Sequence, residues 1–282
     1  MSGPTFVFVH GSNSNSYTWA PLLRELALRG HRGLAVDLPG HGPGAAFSAA
    51  YQAPQDLEGF AGAEPVLSRY TFADTIEHVT GVVRRAVEHG PVILAGHSRG
   101  GLALTGVGNA VPELLSRIVY IGAWCCVDGT VEDYQSGPEH ANSALNDTAG
   151  VLLGDPATLG VLRMNWRTAD PGLLAALRAA MLADGSMSEL LAYLNTLEPD
   201  ESLDGGGELG KADLANWGRI PRSYIRLAGD RSLPLALQDR FIAEADAHLP
   251  ENPFEVRTLE SSHVGFLIRP ARAAELLAYL AG

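Results

Sequence analysis

Gly96-His97-Ser98-Arg99-Gly100 sets a serine between two glycines at the spacing G-x-S-x-G, directly after the apolar run Val92 to Ala95 and before a small-residue helical pattern that opens Gly100-Gly101. A tight strand-to-helix turn of this kind lifts a hydroxyl clear of a sheet, with glycines where neighbouring backbone must come close. It also sets the hydroxyl at a helix N-terminus, where free N–H groups favour developing negative charge. A serine hydroxyl is a weak nucleophile near neutral pH, so the chemistry requires a base within reach.

Of the nine histidines, His263 is the best placed, because Leu259-Glu260-Ser261-Ser262-His263 follows the last apolar run and precedes a helix opened by Pro270. A loop there projects from the sheet's carboxyl edge. His97 is fixed in the serine turn, His31, His78, His89 and His248 lie on or near helices, and His140 falls in a central insertion, so structural roles are expected for them. His10 and His41 each precede a glycine at a strand's carboxyl end and are expected to line the site.

An imidazole base needs an acid to fix its tautomer and stabilise the cation formed during attack. Asp230, in Leu227-Ala228-Gly229-Asp230-Arg231, follows the penultimate apolar run and gives the chain order Ser, Asp, His. Asp128, beyond the run Ile118 to Ile121, is the alternative acid. Acyl transfer also develops an oxyanion, for which the expected donors are the backbone N–H groups of Arg99, after the serine, and Ser12, in the small polar run Gly11 to Ser16 after the first strand.

The elements that must position these residues alternate along the chain. Short apolar runs at Phe6 to Val9, Gly33 to Val36, Val92 to Ala95, Ile118 to Ile121, Tyr224 to Leu227 and Phe254 to Leu259 read as strands buried on both faces. Helical patterns at Trp19 to Leu28, Thr71 to Val87, Gly100 to Ala110, Leu235 to Ala247 and Ala271 to Leu280 separate or follow them. The expected fold class is therefore α/β, a mostly parallel sheet of about six strands flanked by helices.

Two segments interrupt the alternation. Gly40 to Arg69 is rich in Gly, Ala and Pro and leaves from the second strand's carboxyl end, where α/β sheets place ligand loops. The second, residues 125–217, contains no convincing strand. Asp155-Pro156 and Asp170-Pro171 are N-cap and first-turn signals that predict helices near 156–166 and 171–183, with a third over Ser188 to Leu197. The division is a core of 1–124 and 218–282 with a helical cap at 125–217, inserted after the strand ending near Ile121 and released through Gly205-Gly206-Gly207. Trp124, Met164, Trp166, Met181, Met187 and Tyr193 are the candidate apolar pocket lining, joined by His10, Gly11 and Val264.

The composition, 46% hydrophobic and 18% charged over 282 residues, is that of a folded globular protein. A formal net charge of −12 opposes nucleic acid as a partner, since neutralising phosphates takes clustered cations. The two cysteines, Cys125 and Cys126, are adjacent and a poor disulfide pair. The opening residues lack a secretory signal and no stretch has membrane-spanning character, so no membrane partner and a cytoplasmic location are expected. No His-x-x-x-His pair, paired cysteine knuckle or glycine-rich loop ending in Lys-Ser or Lys-Thr occurs, so no metal and no cofactor is expected.

Phe8-Val9-His10-Gly11 with Trp19, Ala35-Val36-Asp37-Leu38-Pro39-Gly40-His41-Gly42, the turn at Ser98, Asp230-Arg231-Ser232-Leu233-Pro234 and Ser261-Ser262-His263 together span almost the whole chain apart from the cap. On these pieces the sequence resembles the α/β-hydrolase superfamily, and within it the compact esterases related to plant methylesterases and hydroxynitrile lyases. The resemblance implies an esterase-like Ser-His-Asp machine without metal or organic cofactor. Hydroxynitrile lyases of this type carry threonine where this chain has Gly11 and lysine where it has Val264, which disfavours cyanohydrin cleavage. Superfamily members that use an aspartate nucleophile are excluded by Ser98.

The expectation is a serine carboxylesterase that cleaves a small to medium, largely apolar ester through an acyl-enzyme. Two alternatives stand beside it: a lactone or carbon–carbon bond hydrolase or cyclase acting on a polyketide-like product, and a non-catalytic small-molecule receptor on the same fold. Oligomeric state is not legible.

Overall fold

The computed structural model describes residues 3–282. Its strands are β1 (Thr5–Val9), β2 (Arg32–Val36), β3 (Val92–Ser98), β4 (Arg117–Ala123), the short β5 (Leu152–Leu153), β6 (Val161–Met164) and β7 (Asp200–Ser202), then β8 (Arg222–Leu227) and β9 (Glu255–Leu259). Six of them form one parallel sheet in the order β2-β1-β3-β4-β8-β9. The chain runs outward one way from β1 to β2 and the other way from β3 onward, so the strand order reverses between β1 and β3. The carboxyl ends of those two strands flank a crevice, the usual ligand position in sheets of this kind.

Alternate residues of each strand face opposite layers. Phe6, Phe8, Ile93, Val119, Ile121 and Ile225 pack with the helices Ala20–Leu28 and Ala271–Leu280, while Val7, Val9, Leu94, Ile118, Tyr120 and Tyr224 pack with Phe72–Val87, Gly100–Ala110 and Leu235–His248. The helix Phe72–Val87 starts where Thr71 and Asp74 close a reciprocal capping box. Burial on both faces holds for β1, β3, β4 and β8. It does not hold for the outer strands, where Arg32, Gly33 and Thr258 are exposed, because an edge strand has a neighbour on one side only.

The insertion between β4 and β8 departs from the all-helical expectation. The helix expected over 156–166 stops at Leu159, since Gly160 takes a left-handed φ of 72° and closes it. Val161-Leu162-Arg163-Met164 then alternates buried and half-buried as β6, the centre of a three-stranded antiparallel sheet with β5 and β7. Helices at Pro171–Met181 and Met187–Leu194 do form, capped by Asp170 and by a Ser186–Glu189 capping box. The two roots of the insertion meet where Ala212 N–H donates to the Cys126 carbonyl.

Buried Arg163 ties the loop after β2 to this sheet. Its guanidinium donates to the carbonyls of Phe60 and Ala63 and forms a two-point pair with Asp200 at 2.7 and 2.8 Å. No helix among the described residues is long and apolar enough to cross a membrane.

Candidate active site

Ser98 ends β3 with a φ of 54°, a left-handed conformation that costs a non-glycine residue energy and is held here by its surroundings. The register with β4 shifts between His97 and Ser98, and Trp124 N–H donates to the Ser98 carbonyl at 3.0 Å. The glycines around it are sterically required. A Cβ on Gly11 would lie 2.9 Å from Ser98 Cβ, one on Gly100 2.5 Å from the His10 carbonyl oxygen, and one on Gly101 would strike the Trp124 carbonyl. Thus β1, the serine turn and the end of β4 approach more closely than side chains permit.

His263 reaches this turn from the loop after β9. Its Nε2 lies 3.1 Å from Ser98 Oγ and its Nδ1 2.7 Å from Asp230 Oδ2. Asp230 Oδ1 accepts the N–H groups of Ser232 and Leu233 at 2.8 and 2.9 Å, which aims the carboxylate. A carboxylate at Nδ1 fixes the tautomer in which Nε2 accepts the serine proton. Asp128, the alternative acid, lies elsewhere: half-exposed, it pairs with His248 at 2.6 Å.

The loops bearing His263 and Asp230 are also fastened to the insertion. Val264 N–H donates to the Met181 carbonyl at 3.0 Å, Ser232 Oγ to the Ala180 carbonyl at 3.0 Å, and Ser143 Oγ to the Ser232 carbonyl at 2.7 Å. The His97 ring, fully buried, packs 4.3 Å from the His263 ring and carries no hydrogen bond on Nε2 to another described residue. Burial, with the nearby His263, holds its pKa well below 6.5, so it stays neutral beside the His263 ring.

Ser98 opens into a cavity of about 380 Å³ lined by Gly11, Ser12, Arg99, Leu102, Trp124, Met164, Trp166, Met181 and Tyr193, with His263 at one wall. Leu152 and Leu162 of the small sheet also line it. The Tyr193 side chain is buried, and its hydroxyl carries no hydrogen bond to another described residue. Three residues expected at the pocket are placed differently. Met187 is at the surface, Val264 is fully buried against Phe266 and its neighbours, and His10 lines a separate, smaller cavity with His41. Val264 and His10 each adjoin a residue that does line the cavity, and successive side chains diverge.

His10 instead braces the strand ends. Its Nδ1 bonds the Gly11 carbonyl at 2.9 Å and its Nε2 accepts Leu38 N–H at 3.2 Å. Burial, reinforced by neighbouring His41, lowers its pKa to about 4, so it acts as a neutral spacer. His41 lines the same small cavity, with Nδ1 3.0 Å from Glu198 and Nε2 3.9 Å from Glu201.

Burial opposes charge on His41, as does Arg99, but the Glu198 hydrogen bond and the two carboxylates outweigh them and raise its pKa above 6.5. A raised value means that the stabilisation is fully present below about 6.5 and is lost as pH rises through the folded-state value. Thermal midpoints measured from pH 5 to 9 should therefore show His41→Gln less stable than the parent at the acid end, with the gap closing as pH rises. A gap independent of pH would contradict this.

Glu198 and Glu201 were not among the residues expected at the site, yet both are buried and Glu201 lines the cavity. Glu198 accepts Gly42 N–H at 2.8 Å and the Asn15 amide at 2.8 Å, and Glu201 accepts Asn13 N–H at 2.8 Å. Glu198-Pro199-Asp200-Glu201 follows the helical pattern Ser188 to Leu197, and nothing local in it signals burial.

The comparisons with known proteins agree with this architecture. The sequence model of the alpha/beta hydrolase family matches residues 6–276. Methylesterase 17 of Arabidopsis thaliana is 26% identical over 277 residues, covering 95% of this chain and 87% of that protein. Polyneuridine aldehyde esterase of Rauvolfia serpentina is 25% identical over 283 residues, covering 96% and 93%. A solved pyrethroid hydrolase superimposes with a TM-score of 0.74 at 23% identity, over 99% of this chain and 97% of that one. The resemblance to compact esterases related to plant methylesterases is borne out.

Proposed function

Because the chain belongs to the α/β-hydrolase family, we propose that it is a serine carboxylesterase whose nucleophile is Ser98, with His263 as base and Asp230 as the acid that orients it. The observation that carries this reading is the unbroken series from Asp230 Oδ2 to His263 Nδ1 at 2.7 Å and from His263 Nε2 to Ser98 Oγ at 3.1 Å, opening onto a cavity. The esterase names of the full-length relatives support the reaction type.

In this mechanism Ser98 Oγ attacks the ester carbonyl as His263 takes its proton. The oxyanion is held by the N–H groups of Ser12 and Arg99, and His263 returns the proton to the departing alcohol. Water, deprotonated by the same imidazole, then attacks the acyl-enzyme and releases the acid. No metal or organic cofactor enters the route.

Cavity size falls in the usual range for small-molecule sites, and its tryptophan, leucine and methionine walls suit a small to medium, largely apolar ester. The unpaired Tyr193 hydroxyl provides a hydrogen bond for one oxygen on such a substrate. Residues 125–217 act as the lid, since they supply most of the apolar lining. The location of action is cytoplasmic in this reading.

A panel of aryl esters, methyl esters and lactones, run with Ser98→Ala as blank, tests the assignment. Ester hydrolysis by the parent protein and none by the blank is expected. Equal rates from both, or no turnover of any ester, would remove the assignment.

A further inference from the structure

Residues 198–201 grip one loop residue, Asn13, by its backbone N–H, its backbone carbonyl and its side-chain amide nitrogen. Glu198 N–H donates to the Asn13 carbonyl at 2.7 Å, the Asn13 amide donates to the carbonyls of Glu198 and Pro199 at 3.0 and 3.2 Å, and Glu201 Oε2 accepts Asn13 N–H at 2.8 Å. Asn13 holds a left-handed φ of 55°, which these bonds maintain. Its neighbour Ser12 carries one proposed oxyanion donor.

The second oxygen of Glu201 faces the other donor's residue. Oε1 lies 3.5 Å from Arg99 Nε, 3.9 Å from His41 Nε2, and accepts Ser202 N–H at 2.8 Å. One buried carboxylate therefore joins the loop after β1 to the residue that follows the nucleophile. Its neighbour on β7, Asp200, pairs with Arg163 and anchors the small sheet. Successive strand residues point to opposite sides, so the anchoring role and the site-facing role fall on different residues.

Placing a negative charge near a developing oxyanion is unfavourable unless cations offset it. Here the Arg99 guanidinium does so, which leaves the carboxylate free to act through geometry. We propose that Glu201 is a positioning residue that sets the separation of the Ser12 and Arg99 amide donors, so that transition-state stabilisation depends on the lid strand β7 being seated. The proposal rests on the serine-esterase reading above.

The test compares parent, Glu201→Ala and Glu201→Gln on one aryl ester. A fluorophosphonate titration counts competent sites, and the affinity of an aryl trifluoromethyl ketone, which forms a tetrahedral oxyanion adduct, is measured alongside. Glu201→Ala should lose about 100-fold in kcat per titrated site, the scale of one lost oxyanion donor, with KM within about threefold. Ketone affinity should fall in step with kcat/KM. Glu201→Gln, whose amide oxygen can still accept Asn13 N–H, should recover part of the loss and serves if the alanine variant does not fold.

Unchanged kcat per titrated site, a loss confined to KM, or fewer competent sites with normal ketone affinity would each overturn the proposal. With the parent active and Ser98→Ala silent, those results remove only the role of Glu201. An inactive parent removes the esterase reading and this proposal with it.

Discussion

Replacing Ser98 with alanine is expected to lower kcat on the order of 10⁶-fold, as loss of the nucleophile does in a serine-histidine-acid site. The fold should survive. The Ser98 side chain is half-buried and its one side-chain hydrogen bond is the 3.1 Å contact with His263. Alanine carries the same Cβ and so bears the same left-handed backbone without a new clash. Substrate affinity should change little, because the cavity walls and the two proposed amide donors remain. Circular dichroism and a denaturation curve establish that the variant is folded, and steady-state rates on the best ester of the panel give the loss. A fall of less than tenfold in folded protein would mean that another group attacks the carbonyl.

Asp230→Asn is expected to cost about 10⁴-fold in kcat through the tautomer of His263. Asp230 spends Oδ1 on the N–H groups of Ser232 and Leu233 and Oδ2 on His263 Nδ1. Asparagine has one oxygen. Two backbone donors compete for it against one imidazole donor, so the amide nitrogen turns towards Nδ1. Nδ1 must then accept, Nε2 carries the proton, and the imidazole can no longer take the proton of Ser98. The variant should keep its fluorophosphonate site but react with it far more slowly, and kinetics at matched pH give the size of the effect. Rates within tenfold of the parent would show that Asp230 is not the orienting acid.

How much of this was legible depended on how local the information was. The six sheet strands and the serine turn are encoded by short apolar runs and by glycines that the close approach of β1, β3 and β4 demands at Gly11, Gly100 and Gly101. The order Ser98, Asp230, His263 follows the chain order of β3, β8 and β9, parallel strands of one sheet that these residues end or follow.

The insertion was harder to read. Val161-Leu162-Arg163-Met164 is too short for its period to separate strand from helix, and the Asp-Pro signal before it correctly begins a helix that Gly160 ends after one turn. Glu198 and Glu201 were missed because buried charge depends on partners distant in the chain, here His41 and Arg99. His10 and Val264 adjoin site residues in sequence, but sequence adjacency does not decide which side chain enters a cavity, and neither of these lines it.

The most direct measurement of the central claim is intact-protein and peptide mass spectrometry after exposure to a fluorophosphonate. One adduct per chain is expected, located on Ser98, absent from Ser98→Ala and formed much more slowly when His263 is replaced by alanine. A folded, ester-hydrolysing protein that forms no adduct at Ser98, or labels equally fast without His263, would contradict it.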